Sequence, residues 1–169
     1  GVMDIQKKLE NYYEIECRDK NGNLKWVEKF TNLVTTEGLN DSLDKHLKGS
    51  NYSAAWYLGL TGASPVFAAG DTMASHAGWT EVTAYSESTR PALVFGSVAA
   101  GSVNNSASKA SYTVNADNTQ IGGAFTVSNN GKGGTSGILY GGGAFAGGNK
   151  TLSNGDTLNV TITCTAAAA

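Results

Sequence analysis

Asp71, His76 and Glu81 stand five residues apart in a part of the chain with little other charge. Carboxylate and imidazole side chains are the groups that ligate zinc or iron and that move protons. This interval, however, has no recurrent metal-site spacing, so no metal is expected there. A Ser–His–Asp hydrolase would need its nucleophile on a strained strand-to-helix turn, and no GxSxG occurs. The loop Gly131-Lys-Gly-Gly-Thr-Ser-Gly137 superficially resembles a phosphate cradle. Its lysine precedes the glycine pair and no apolar helix follows, so it does not meet the P-loop pattern. Glu81 and Glu87 form the other carboxylate pair, and hydrolysis of a glycan would require them about 5–9.5 Å apart in a cleft. No catalytic residue, metal or cofactor is expected. His46 falls in the last turn of a predicted helix, where a partial positive charge suits the helix dipole.

The stretch Gly78–Leu93 (GWTEVTAYSESTRPAL) concentrates the remaining chemistry. Trp79, Val82 and Tyr85 offer an apolar anchor. Arg90 is the sole Arg or Lys between Lys48 and Lys109, and Pro91 forces it into extended backbone. A lone guanidinium with Glu81 and Glu87 nearby predicts a charge-assisted fork to carboxylate or carbonyl oxygens. Because arginine and aromatic side chains are enriched where subunits meet, Trp79, Tyr85 and Arg90 are the candidate interface residues.

The elements that must position these residues read as follows. Asn11–Cys17 alternates, Leu24–Phe30 is strand-prone, and Asn21-Gly22 between them predicts a hairpin with a type I′ turn. Thr35 then caps a short helix over 36–48. Leu39, Leu43 and Leu47 recur at i, i+4 and i+8, basic residues fill the last turn, and Gly49 stops it. That leucine stripe is expected to be buried on a sheet. Strands are predicted at Ala54–Thr61, Trp79–Thr83, Ala92–Val98, Ser108–Val114, Gly123–Ser128, Ile138–Tyr140 and Leu158–Thr165. In the last, Leu158, Val160, Ile162 and Cys164 share one face, as in a half-buried antiparallel strand. Trp56, Leu58, Val160 and Ile162 join the three leucines as the expected core. Gly122–Gly155 holds 12 glycines punctuated by apolar residues, which suits hairpins and self-packed loops.

Several short strands without crossover helices predict a mainly β fold: an antiparallel β-sandwich, jelly-roll-like in one version, with one short amphipathic helix. The organisation expected is an N-terminal arm and hairpin at 1–34, the helix at 35–49, and a Gly/Ser/Thr-rich sandwich body at 50–169, forming one compact domain. Of 26 formal charges, 17 lie in residues 1–50, so the body is close to neutral. The net charge is −2, with no basic stripe for nucleic acid or an anionic membrane. No run approaches the ~20 apolar residues that span a bilayer. Residues 1–14 lack the apolar stretch of a secretory leader, although a removed leader would leave no trace. Cys17 and Cys164 fall in phase with apolar neighbours and are expected as buried free thiols, with a disulfide as the alternative. Asn51, Asn104 and Asn159 lie in Asn-x-Ser/Thr triplets, which matter only in a eukaryotic secretory setting.

Six blocks, in order, carry a resemblance: Asn32–Leu43 (NLVTTEGLNDSL), Ala55–Leu60 (AWYLGL), His76–Glu81 (HAGWTE), Tyr85–Pro91 (YSESTRP), Lys132–Gly137 (KGGTSG) and Gly155–Val160 (GDTLNV). Over about residues 24–165 the chain resembles small virion structural proteins of tailed bacteriophages. The closest role in that group is the capsid decoration, or cement, protein. The resemblance implies a non-enzymatic, β-rich homo-oligomer, dimer or trimer, on the outer surface of the major capsid protein shell. It implies assembly in a bacterial cytoplasm, no nucleic-acid or membrane partner and no cofactor. Its alternative is a tail or head-fibre module whose Gly-rich loops bind a host surface glycan or receptor.

Overall fold

The computed structural model describes residues 9–51 and 55–166. Most of the expected N-terminal arm, Ala54 of one predicted strand and part of the Asn51 triplet lie outside these residues. The first sheet is built on β1 (Leu9–Arg18), which pairs antiparallel with β2 (Leu24–Thr31) on one side and with β12 (Thr157–Ala166) on the other. The far edge of β12 is shared by β6 (Ser102–Asn104) and β7 (Ala110–Thr113). The second sheet runs β3 (Leu33–Val34), β10 (Leu139–Ala144), β9 (Gly123–Val127), β4 (Tyr57–Thr61) and β5 (Glu81–Val82), all antiparallel. A small ribbon pairs β8 (Thr119–Ile121) with β11 (Lys150–Leu152). The chain is therefore mainly β, with antiparallel sheets and one short helix.

Alternation builds the core. Tyr13, Ile15 and Cys17 of β1 and Leu158, Val160 and Ile162 of β12 turn inward and meet Leu58 and Leu60 of β4 and Ala124 of β9. Tyr112 spans the layers, its hydroxyl donating to the Leu58 carbonyl at 2.6 Å. A second cluster lies on the outer face of the second sheet, where Phe125, Val127 and Leu139 are covered by Met73 and Trp79 from the loop after β4. Gly59 makes room for this layer. A Cβ there would stand 2.1 Å from the Phe125 ring, so only glycine lets the ring lie on the sheet.

Leu58, Val160 and Ile162 occupy the core as expected. Trp56 does not. It precedes β4, is half-buried, and meets Tyr140 edge-on with ring centroids 5.5 Å apart. The hairpin forms, but its turn is not type I′. Gly22 has φ 83° while Asn21 keeps negative φ, and the Gly22 N–H donates to the Asp19 carbonyl at 2.9 Å. Asp19 decides this: its carboxylate accepts the Asn21 and Asn23 N–H groups, each at 2.9 Å, and closes a wider turn. Ala92–Val98 is extended, with Leu93 and Phe95 turned inward, but is not a strand. It passes from the second sheet to the first, held by Leu93 N–H to the Trp56 carbonyl and Gly96 N–H to the Asn104 carbonyl.

The cysteines are free. Cys17 faces Leu158 across the β1–β12 ladder, six residues along β12 from Cys164. At ~3.4 Å per residue that is about 20 Å, far beyond disulfide reach. The disulfide alternative is thereby removed.

Candidate functional site

The helix sets the geometry of the site. Helix α1 (Thr36–Leu43) begins directly after β3 and continues as a π turn over Asp44–Lys48, ending at Gly49 with φ 79°. The Thr35 hydroxyl caps it, accepting the Gly38 N–H at 3.1 Å. The same hydroxyl donates to the Leu139 carbonyl. The Thr35 N–H reaches the Tyr140 carbonyl at 2.9 Å, and Glu37 Oε1 accepts the Leu139 N–H at 2.6 Å. Three of these contacts lock the first turn to the backbone of β10.

This lock turns Gly38 onto the sheet, where a Cβ would sit 2.6 Å from the Tyr140 carbonyl oxygen. The inward face is then Gly38, Asp41, Ser42 and Lys45, at i, i+3, i+4 and i+7. The leucines point away. Leu39, Leu43 and Leu47 are 43, 57 and 73% exposed, which corrects the expectation that they are core. The cause is that backbone hydrogen bonds at a cap outweigh an apolar stripe when the two demand different helix rotations. Beside them lie Leu9, Tyr12 and Leu33, also exposed, and together these side chains line one broad groove. Tyr12 and Leu9 belong to β1, so sheet and helix share one apolar surface.

The stretch 78–93 is organised differently. Arg90 is fully buried. Its Nε and Nη2 donate to Glu81 Oε2 and Oε1 at 2.9 and 2.8 Å, a bidentate fork. Nη1 donates to the Asn129 carbonyl at 2.8 Å and Nη2 also to the Gly134 carbonyl at 2.9 Å. The guanidinium sits 5.5 Å from the Phe125 ring centroid. One side chain therefore ties β5, the extended segment after Pro91 and the glycine loop together. Lys132 completes the tie, donating to the Tyr85 and Glu87 carbonyls with its ammonium 4.1 Å from the Tyr85 ring centroid. The Gly131–Gly137 loop is thus a clamp on the connector.

Trp79 and Tyr85 are 4 and 1% exposed. With Arg90 they are consumed inside the single chain, so they present no side-chain surface to another subunit. Burial also raises the Tyr85 and Tyr112 hydroxyl pKa values well above the ordinary phenol range. Asp71 accepts the Trp79 indole N–H at 3.2 Å and the Ala68 N–H at 2.9 Å. His76 stacks on Trp79 at 3.7 Å between centroids, its Nδ1 2.9 Å from the Trp79 carbonyl, which fixes Nδ1 as the protonated nitrogen. Asp71 and His76 thus both hold Trp79, Glu81 holds Arg90, and Glu87 accepts the Thr113 N–H at 2.7 Å. Among the described residues no three His, Cys, Asp or Glu side chains converge as a metal site. No described helix is long and apolar enough to cross a membrane.

Sequence reasoning found the leucines but faced them the wrong way, and it missed Leu9, Tyr12 and Leu33 as their neighbours. The signal was present in Thr35, Glu37 and Gly38, whose polar and small side chains mark the turn that docks. No family model, curated protein or solved structure matches this chain.

Proposed function

We propose that this chain is a non-enzymatic structural protein of a bacteriophage virion, a capsid decoration protein. It binds the outer surface of the major capsid protein shell as a small homo-oligomer. The observation that carries the reading is the contiguous exposed apolar surface formed by Leu39, Leu43 and Leu47 with Leu9, Tyr12 and Leu33. Exposed apolar surface of this kind, with Glu10 and His46 also along the groove, is typical of a protein–protein contact. A lattice repeats its partner many times, so a modest contact per copy gives lasting attachment through avidity. The order of sequence blocks described above supports the phage setting.

The test is cosedimentation of the purified protein with shells assembled from the major capsid protein. Leu43→Lys is expected to fold normally and lose binding by tenfold or more. Undiminished binding of the Leu43→Lys protein would contradict the reading.

The alternative, a tail or head-fibre module binding a glycan, has one observation in its favour. Trp56 and Tyr140 stand near Asn11 and Asp41 around a single cavity. Leu93, Phe95, Val103 and Ile162 share that lining and offer no hydrogen-bond partner to sugar hydroxyls, which favours the first reading.

A further inference from the structure

The leucine face has a pattern that can meet itself. Leu39, Leu43 and Leu47 recur every four residues and form an exposed ridge along the helix. Leu9, Tyr12 and Leu33, from β1 and β3, line the groove beside it. Leu43 is the middle of the row. A two-fold axis passing beside Leu43 lays Leu39 of one copy against Leu47 of a second, Leu47 against Leu39, and Leu43 against Leu43. Each ridge then faces the groove of the other copy.

Charge selects this antiparallel arrangement. The helix is acidic at its start, with Glu37 and Asp41, and basic at its end, with Lys45, His46 and Lys48. Antiparallel packing brings the basic end of each copy to the acidic start of the other and opposes the two helix dipoles. Parallel packing would stack Lys48 on Lys48 and His46 on His46. Asp44 is the carboxylate nearest the axis, and within its own chain it already meets Lys45, Lys48 and Ser50. At 37–73% exposure the six apolar side chains offer roughly 500 Å² per copy, or about 1,000 Å² for a pair, the size of a transient contact. A contact of that size can be exchanged for another.

We propose that in the free protein the leucine face is covered by a second copy of this chain, in an antiparallel two-fold dimer centred on Leu43, and that attachment to the shell exchanges this copy for the capsid protein. The exchange rests on the function proposed above; the dimer does not. Pairing keeps the apolar row out of water until a shell offers its own surface. The pair in solution is distinct from any oligomer on the shell.

The experiment begins with sedimentation velocity of the full chain from about 1 to about 300 µM, the range in which a transient contact dissociates. The expected result is a shift from monomer to dimer as concentration rises, with Leu43→Lys monomeric throughout. Leu43→Cys reports the geometry. Cys17 and Cys164 are packed in or against the core, so the added thiol is the accessible one, and at the two-fold centre it faces its own copy. Diamide, which takes up two electrons and two protons as the disulfide forms, should link Leu43→Cys about tenfold faster than Val98→Cys, whose site is 74% exposed and outside the groove. The linked dimer should cosediment with shells tenfold or more weakly than the same protein after reduction. A chain that stays monomeric over the whole range, equal linking of the two variants, or a linked dimer that binds shells as well as its reduced form would each overturn the proposal. Failure of both the wild-type protein and reduced Leu43→Cys to bind shells would instead overturn the shell reading and with it the exchange, leaving the dimer to be decided by sedimentation and linking.

Discussion

At the scale of single residues, Arg90 and Leu43 show how burial and exposure assign different jobs to side chains a sequence makes equally conspicuous. Arg90 is a charge with no water around it, compensated by Glu81 and two carbonyls. Breaking such a pair leaves a carboxylate uncompensated, so Arg90→Ala should cost about 3–5 kcal/mol in a denaturant titration. Arg90→Lys should not restore it, because an ammonium cannot span both Glu81 oxygens and reach Asn129 and Gly134. A loss below about 1 kcal/mol would mean that the clamp around Arg90 is dispensable. Leu43→Ala should change stability by less than about 0.5 kcal/mol, as for other exposed positions. The thiols follow the same logic. Burial pushes Cys17 up to about 12 and Cys164 up to about 11, so both are protonated at pH 8 and carry little thiolate. The folded protein should resist iodoacetamide at pH 8, and reactivity should rise as pH climbs toward these values. In denaturant without reductant both cysteines should alkylate; failure of either to do so would mean it is not free.

At the scale of elements, the strands were legible where alternation was long. β1, β2 and β12 have eight to ten residues each and their inward sets are visible in sequence. The two- and three-residue strands β3, β6, β8 and β11 carry too few alternations to be read, and they exist because longer neighbours offer them an edge. Ala92–Val98 shows the converse: its alternation is real, with Leu93 and Phe95 inward, yet it lies between sheets and lacks a continuous partner. The helix was legible in length, cap and stop, but its rotation was not. Leu39, Leu43 and Leu47 suggested one inward face, whereas Thr35, Glu37 and Gly38 bind the backbone of β10 and impose another. Gly38→Ala tests this directly. Its Cβ would press on the Tyr140 backbone, which cannot move without disturbing β10, so a loss of about 1–3 kcal/mol is expected in thermal or chemical unfolding. Full stability of the Gly38→Ala protein would show that the helix can lift from the sheet at no cost.

At the scale of the whole molecule, a rigid two-sheet body presents one apolar surface on the helix and the start of β1, while its aromatic and arginine side chains at 78–93 are spent internally. That division explains why Trp79, Tyr85 and Arg90, expected at an interface from residue type, are buried within the chain: the residues best suited to a hot spot were also the best available to hold the glycine loop. The account's central claim is that the leucine face meets the capsid shell. Electron cryomicroscopy of native particles tests it most directly, because it locates the chain and orients the helix. The account predicts density for this fold on the outer shell surface, with Leu39, Leu43 and Leu47 against the major capsid protein. Density confined to a tail or fibre, or a shell-bound copy with the leucine face turned to solvent, would contradict it.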